Sequence, residues 1–112
     1  MNWNIKEIEG AELHSLIEAD AQSIRVIDVR QPTEVAAGTV PKAEAMPMHT
    51  IPLRIHELDK NEKLVLVCRS GARSAQACAF LQQQGYDEVY NLRGGIMGWA
   101  NNGLAMALPE AV

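Results

Sequence analysis

The sequence predicts an α/β fold: a central, mostly parallel sheet of about five strands flanked by helices on both faces. Two observations predict it. Strand-like runs rich in β-branched residues alternate with windows of helical periodicity along the chain. One run, Lys63-Leu64-Val65-Leu66-Val67-Cys68, is apolar after its first residue, as suits a strand buried on both faces of a parallel sheet.

The elements follow in order. Residues 3–8 read as an edge strand. Residues 10–19 form a helical window with Ala11, Leu13, Leu16 and Ile17 set among polar residues. Ile24-Arg25-Val26-Ile27-Asp28-Val29 is a strand. Residues 43–48 make a short strand, and residues 50–58 a shorter helix with Pro52 in its first turn. After the 63–68 strand, residues 72–84 place Ser74, Ala77, Cys78 and Leu81 on one helix face. Gly85 stands where a helix-ending glycine belongs. Residues 88–92 are a strand, and 95–101 a last helix closed by Gly103. In such sheets chemistry collects at the carboxyl ends of the strands. Here those ends are Asp28-Val29-Arg30 and Cys68 onward.

A chain of 112 residues is expected to be one domain, residues 1–112, with a core that needs no staple. It is 47% hydrophobic and 21% charged, and its net charge of −4 argues against a nucleic-acid binder. Cys68 and Cys78 suit neither a disulfide framework nor a structural zinc site. His14, His49 and His56 lack metal-binding spacing, so no metal and no cofactor are expected. Free thiols fit a reducing compartment. The first residues carry no apolar signal core, and no run reaches the roughly 18–20 apolar residues that span a membrane. A cytoplasmic monomer is the expectation.

The chemistry centres on Cys68-Arg69-Ser70-Gly71-Ala72-Arg73-Ser74, which leaves a buried strand and opens a helix. Free backbone N–H groups and the positive end of the helix dipole favour an anion there. Arg69 and Arg73 add positive charge, Ser70 and Ser74 hydroxyl donors, and Gly71 lets the backbone curl. Together these are expected to hold Cys68 as thiolate near neutral pH. A thiolate in such a cradle can attack a polarised sulfur and store it as Cys68–S–S⁻, with ping-pong kinetics. The bland alternative is a small buried residue at a strand end.

Other residues carry less. Asp28 and Arg30 are expected to support the site as a charged network ordering the active-site loop; the alternative is a surface salt bridge worth little. Arg93 reads as part of a positive rim or as a solvated loop residue. Trp99 reads as packing, and Met46, Met48, Met97 and Met106 as gap-fillers or rim. Cys78 lies on the sheet-facing side of its helix and reads as an inert thiol.

These motifs resemble the rhodanese-like family, from about Ile5 to Leu108. Cys68 to Ser74 is similar to its active-site loop. Val26-Ile27-Asp28-Val29-Arg30 with Pro32 and Glu34 is similar to its first signature. Gly85-Tyr86-Asp87 and Leu92-Arg93-Gly94-Gly95-Ile96-Met97-Gly98-Trp99 are similar to its last. The resemblance implies a sulfurtransferase of the thiosulfate type. Cys68 would accept sulfane sulfur from a small-molecule donor such as thiosulfate and pass it to cyanide, a thiol or a sulfur-accepting protein. Backbone N–H groups of residues 69–73 would form the cradle. The sequence departs from the family's Gly-His-Ile-Pro-Gly-Ala stretch at Thr39 and Lys42, a change expected at the rim or a partner surface.

Two other functions compete. A protein-docking sulfur carrier would use the same cysteine. A cysteine phosphatase or arsenate reductase would need five residues between cysteine and arginine to enclose its tetrahedral anion. Only four separate Cys68 from Arg73, a smaller cradle that suits a persulfide sulfur.

Overall fold

The β-branched and aliphatic runs pair side by side because each can bury both of its faces. The computed structural model describes residues 4–110. Its strands are β1 (Lys6–Ile8), β2 (Ile24–Asp28), β3 (Ala43–Ala45), β4 (Lys63–Val67) and β5 (Val89–Leu92). They form one sheet in the order β1-β5-β4-β2-β3, with every pairing parallel. Trp3, placed in the first strand from sequence, lies outside the described residues. β3 is shorter than expected, yet its backbone pairing continues: Met46 N–H donates to Asp28 O and Met48 N–H to Val29 O, both at 2.9 Å.

Side-chain alternation along the strands builds two cores. Ile27, Leu64, Leu66 and Val89 face one way, where Ile51, Ala77, Cys78 and Leu81 cover them. Val26, Val65, Val67 and Leu92 face the other, beneath Leu13, Ile96 and Trp99. Thus α3 (Ile51–Arg54) and α4 (Ala72–Gln83) pack on one face, and α1 (Gly10–Asp20) and α5 (Gly95–Asn101) on the other. Trp99 is core, with its indole N–H donating to Ala105 O at 2.9 Å. No helix among the described residues is long and apolar enough to cross a membrane.

Two helical segments differ from the sequence expectation. The helix expected over residues 50–58 is the single turn α3, between 3₁₀ turns at Met48–Thr50 and Ile55–Glu57. One turn around a proline is too short to propagate. The Tyr86 hydroxyl sits 3.1 Å from both Ile55 O and Leu58 O, carbonyls that a helix ending at Leu58 would leave without intrahelical partners. The extra helix α2 (Pro32–Ala36) has no apolar period to betray it. It starts because Pro32 fits its first turn and the Gln31 N–H donates to the Glu34 carboxylate at 3.1 Å.

Candidate active site

Cys68 follows β4 directly, in phase with Leu64 and Leu66, so its side chain turns toward α4 and is 1% exposed. The chain then curls back over it. Gly71 makes the curl at φ 106°, a left-handed conformation that glycine adopts without a Cβ clash, and caps the start of α4. Its N–H reaches Cys68 Sγ at 3.1 Å. One turn into α4, the buried Ser74 hydroxyl lies 3.3 Å from the same sulfur.

The loop is also held from behind. Ile96 N–H donates to Cys68 O at 2.9 Å, and Met97 N–H to Arg69 O at 3.0 Å. These are first-turn donors of α5 that its own helix leaves free. A Cβ on Gly95 would overlap both of those carbonyl oxygens, so the approach of α5 requires glycine there. From β5, Asn91 joins the site. Its Nδ2 donates to Gly71 O at 3.0 Å, and its Oδ1 makes a short hydrogen bond with the Ser74 hydroxyl.

Two opposed influences set the Cys68 acidity. Burial, the largest single one, pushes the thiol up. The Ser74 hydroxyl and the amides of Ser74, Gly71 and Ser70 together outweigh it, and the thiol lies below its ordinary value. Cys78, on α4 in the same core cluster, has no such donors. Burial drives it up to about 12, with the neighbouring Cys68 charge adding to the rise.

The two arginines take different places. Arg69 is exposed, and among the described residues no hydrogen bond links its guanidinium, or the Ser70 hydroxyl, to the sulfur. Ser70 contributes its amide. Ala72 opens α4 as an exposed residue. Arg73 pairs with Glu34 of α2 at 3.3 Å, which raises the guanidinium and lowers the carboxylate. Arg73 therefore ties two segments together, and its charge also interacts with Cys68, while the largest lowering influences on the Cys68 thiol are hydrogen-bond donors. Arg93 is a solvated residue paired with Glu9 at 3.2 Å.

Asp28 and Arg30 do form a charged network. They are buried, at 0% and 6% exposure, which rules out the surface pair. The guanidinium grips both carboxylate oxygens and donates to Gly38 O at 2.7 Å. The Thr39 hydroxyl donates to Asp28 Oδ2 at 2.7 Å. The network therefore orders the 38–39 segment; it makes no hydrogen bond to the Cys68 loop among the described residues. Thr39 is fully buried within it and is no rim residue. Lys42 is exposed at φ 73°, a conformation suited to the glycine of the family pattern.

Sequence reading missed Asn91 as a site residue. A signal was present: it is polar and occupies the α4-facing phase of β5, where a buried amide needs partners. The partners themselves come from residues 17 and 20 positions away.

Comparison with known proteins agrees with this geometry. Residues 9–102 match the model of the rhodanese-like domain. A sulfurtransferase of Allochromatium vinosum is 48% identical over 106 residues, covering 95% of this chain and 98% of that protein. The putative sulfurtransferase YtwF of Bacillus subtilis is 45% identical over 95 residues, 85% of this chain and 90% of its own. The crystal structure of a rhodanese-like domain protein from Staphylococcus aureus superposes with a TM-score of 0.82 at 32% identity, covering 95% of this chain and all of that one. With the cysteine loop, the five-stranded parallel sheet and these relatives in agreement, the chain belongs to the rhodanese-like domain family.

Proposed function

We propose that this chain is a sulfurtransferase that carries sulfane sulfur as a persulfide on Cys68. The observation that carries the proposal is the buried sulfur ringed by the Ser70, Gly71 and Ser74 amides and the Ser74 hydroxyl, which lower its thiol despite burial. With thiosulfate as donor, the thiolate attacks the outer sulfur, the sulfur–sulfur bond of the donor breaks, and sulfite leaves with the electron pair. The product Cys68–S–S⁻ carries one negative charge. Cyanide or a thiolate then attacks the outer sulfur and Cys68 leaves as thiolate, so no external oxidant or reductant enters. The backbone N–H groups of the loop are available to stabilise the negative charge of the persulfide.

A phosphatase role fits less well. Its arginine must be free to clamp phosphate, and Arg73 is held by Glu34. A protein-docked carrier role uses the same persulfide. One relative, the putative sulfur carrier protein YrkF of Bacillus subtilis, is 28% identical over 51% of its length. Two buried free thiols suit a reducing compartment, and the cytoplasm is the proposed location of a single-domain monomer.

The test is intact mass after incubation with thiosulfate, before and after cyanide, beside Cys68→Ser. The expected result is a gain of one sulfur atom, removed by cyanide and absent in the variant. No gain from thiosulfate or from a persulfide donor overturns the proposal.

A further inference from the structure

The Ser74 hydroxyl has one proton and faces two acceptors. Cys68 Sγ lies 3.3 Å on one side, and Asn91 Oδ1 lies closer on the other. The orientation of the Asn91 amide follows from its second bond. Gly71 O can only accept, so the NH₂ group must be the end that meets it at 3.0 Å. Oδ1 is thereby turned to Ser74, and it too can only accept. Asn91 is 4% exposed, so water offers its oxygen no ready substitute.

The chemical state of the sulfur decides the competition. A thiol is a weak acceptor and can donate its own S–H to Ser74 Oγ, completing a chain from sulfur through hydroxyl to Asn91. In a persulfide the inner sulfur is neutral and equally weak, since the charge sits on the outer atom. A bare thiolate is different. It draws the hydroxyl proton to itself and leaves the buried Oδ1 without a donor.

We propose that Asn91 is a positioning residue for Cys68: by holding the Ser74 hydroxyl off the sulfur, it favours the thiol and the sulfur-loaded form over the bare thiolate. This rests on Cys68 being the sulfur carrier. The other charged or titratable groups around the site are the exposed Arg69 of the loop, Arg73 with its partner Glu34 of α2, Asp28 with Arg30 after β2, and Cys78 in α4. None hydrogen-bonds Ser74 or Asn91 among the described residues.

The experiment is a pH titration of Cys68 alkylation by iodoacetamide in a Cys78→Ala background. Four proteins are compared: the parent, Asn91→Ala, Ser74→Ala and the double variant. Asn91→Ala is expected to move the titration to lower pH, and Ser74→Ala to higher pH. In the Ser74→Ala background the downward move of Asn91→Ala is expected to vanish. An upward or absent shift from Asn91→Ala overturns the proposal. So does an equal shift with and without Ser74, which would mean that Asn91 acts only by bracing the Gly71 carbonyl. If Asn91→Ala does not fold, Asn91→Ser, whose hydroxyl is too short to reach Ser74, carries the same expectations. The titration uses no sulfur donor, so its failure is distinct from a failure of persulfide formation in the mass experiment.

Discussion

Cys68 and Cys78 share one layer between the sheet and α4, and both are buried, at 1% and 0% exposure. Their acidities nevertheless move in opposite directions. Burial raises both. The difference is that Cys68 stands where a strand has ended and a helix has yet to begin, among N–H groups with no partner of their own. Cys78 lies inside the helix, where every nearby N–H is already bonded. Reactivity here follows the supply of free donors, and depth in the protein works against it.

The comparison breaks most completely at Gly95. Gly95→Ala puts a methyl group onto the Cys68 and Arg69 carbonyls, pushing the loop off α5. A loss of about 3 kcal/mol in denaturant unfolding is expected. Alkylation of Cys68 at neutral pH should then slow toward that of Cys78. Unchanged stability and reactivity would show that the loop does not depend on this approach.

A smaller effect comes from Ser74→Ala, which removes one donor and leaves the amides. The Cys68 titration moves to higher pH, and alkylation at neutral pH slows by about three- to tenfold. A stopped-flow alkylation profile against pH checks it.

The two thiols also predict opposite pH dependences of stability. Cys78 ionises near its ordinary 9.0 when unfolded but only near about 12 when folded. Its contribution to stability therefore falls as pH rises across that window. Cys68 is lowered in the fold, so its contribution grows as pH rises through its folded value toward the unfolded one. Cys78→Ala should flatten the alkaline loss of stability relative to the parent, measured by denaturant midpoints. An unchanged alkaline slope would contradict the burial of an un-ionised thiol.

The smallest effect is a control. Lys42→Gly relieves a left-handed backbone at an exposed turn whose ion pair with Glu110 is long, at 4.0 Å. A gain of about 0.5 kcal/mol is expected, with the alkylation of both cysteines unaltered.

Much of this was legible in the chain. Runs of β-branched and apolar residues marked the central strands, because burial on both faces of a parallel sheet favours them, and a period of three to four residues marked the long helices. Cys68, its short loop and Gly71 were legible because a reactive thiol, a tight turn and a helix start are local events. The α2 helix was not, since a five-residue helix set by its N-terminal cap and proline has no period.

What the tertiary structure alone decided are the pairings across the chain. Arg73 meets Glu34 from 39 positions away, and Asn91 meets Ser74 and Gly71 from the neighbouring strand. Asp28 bonds with Arg30 and Thr39. Sequence determines which residues are able to donate, accept or carry charge, and roughly which face each one occupies. Which partner each finds depends on strand order and loop path, because a hydrogen bond forms only where the folded backbone brings two groups within about 3 Å.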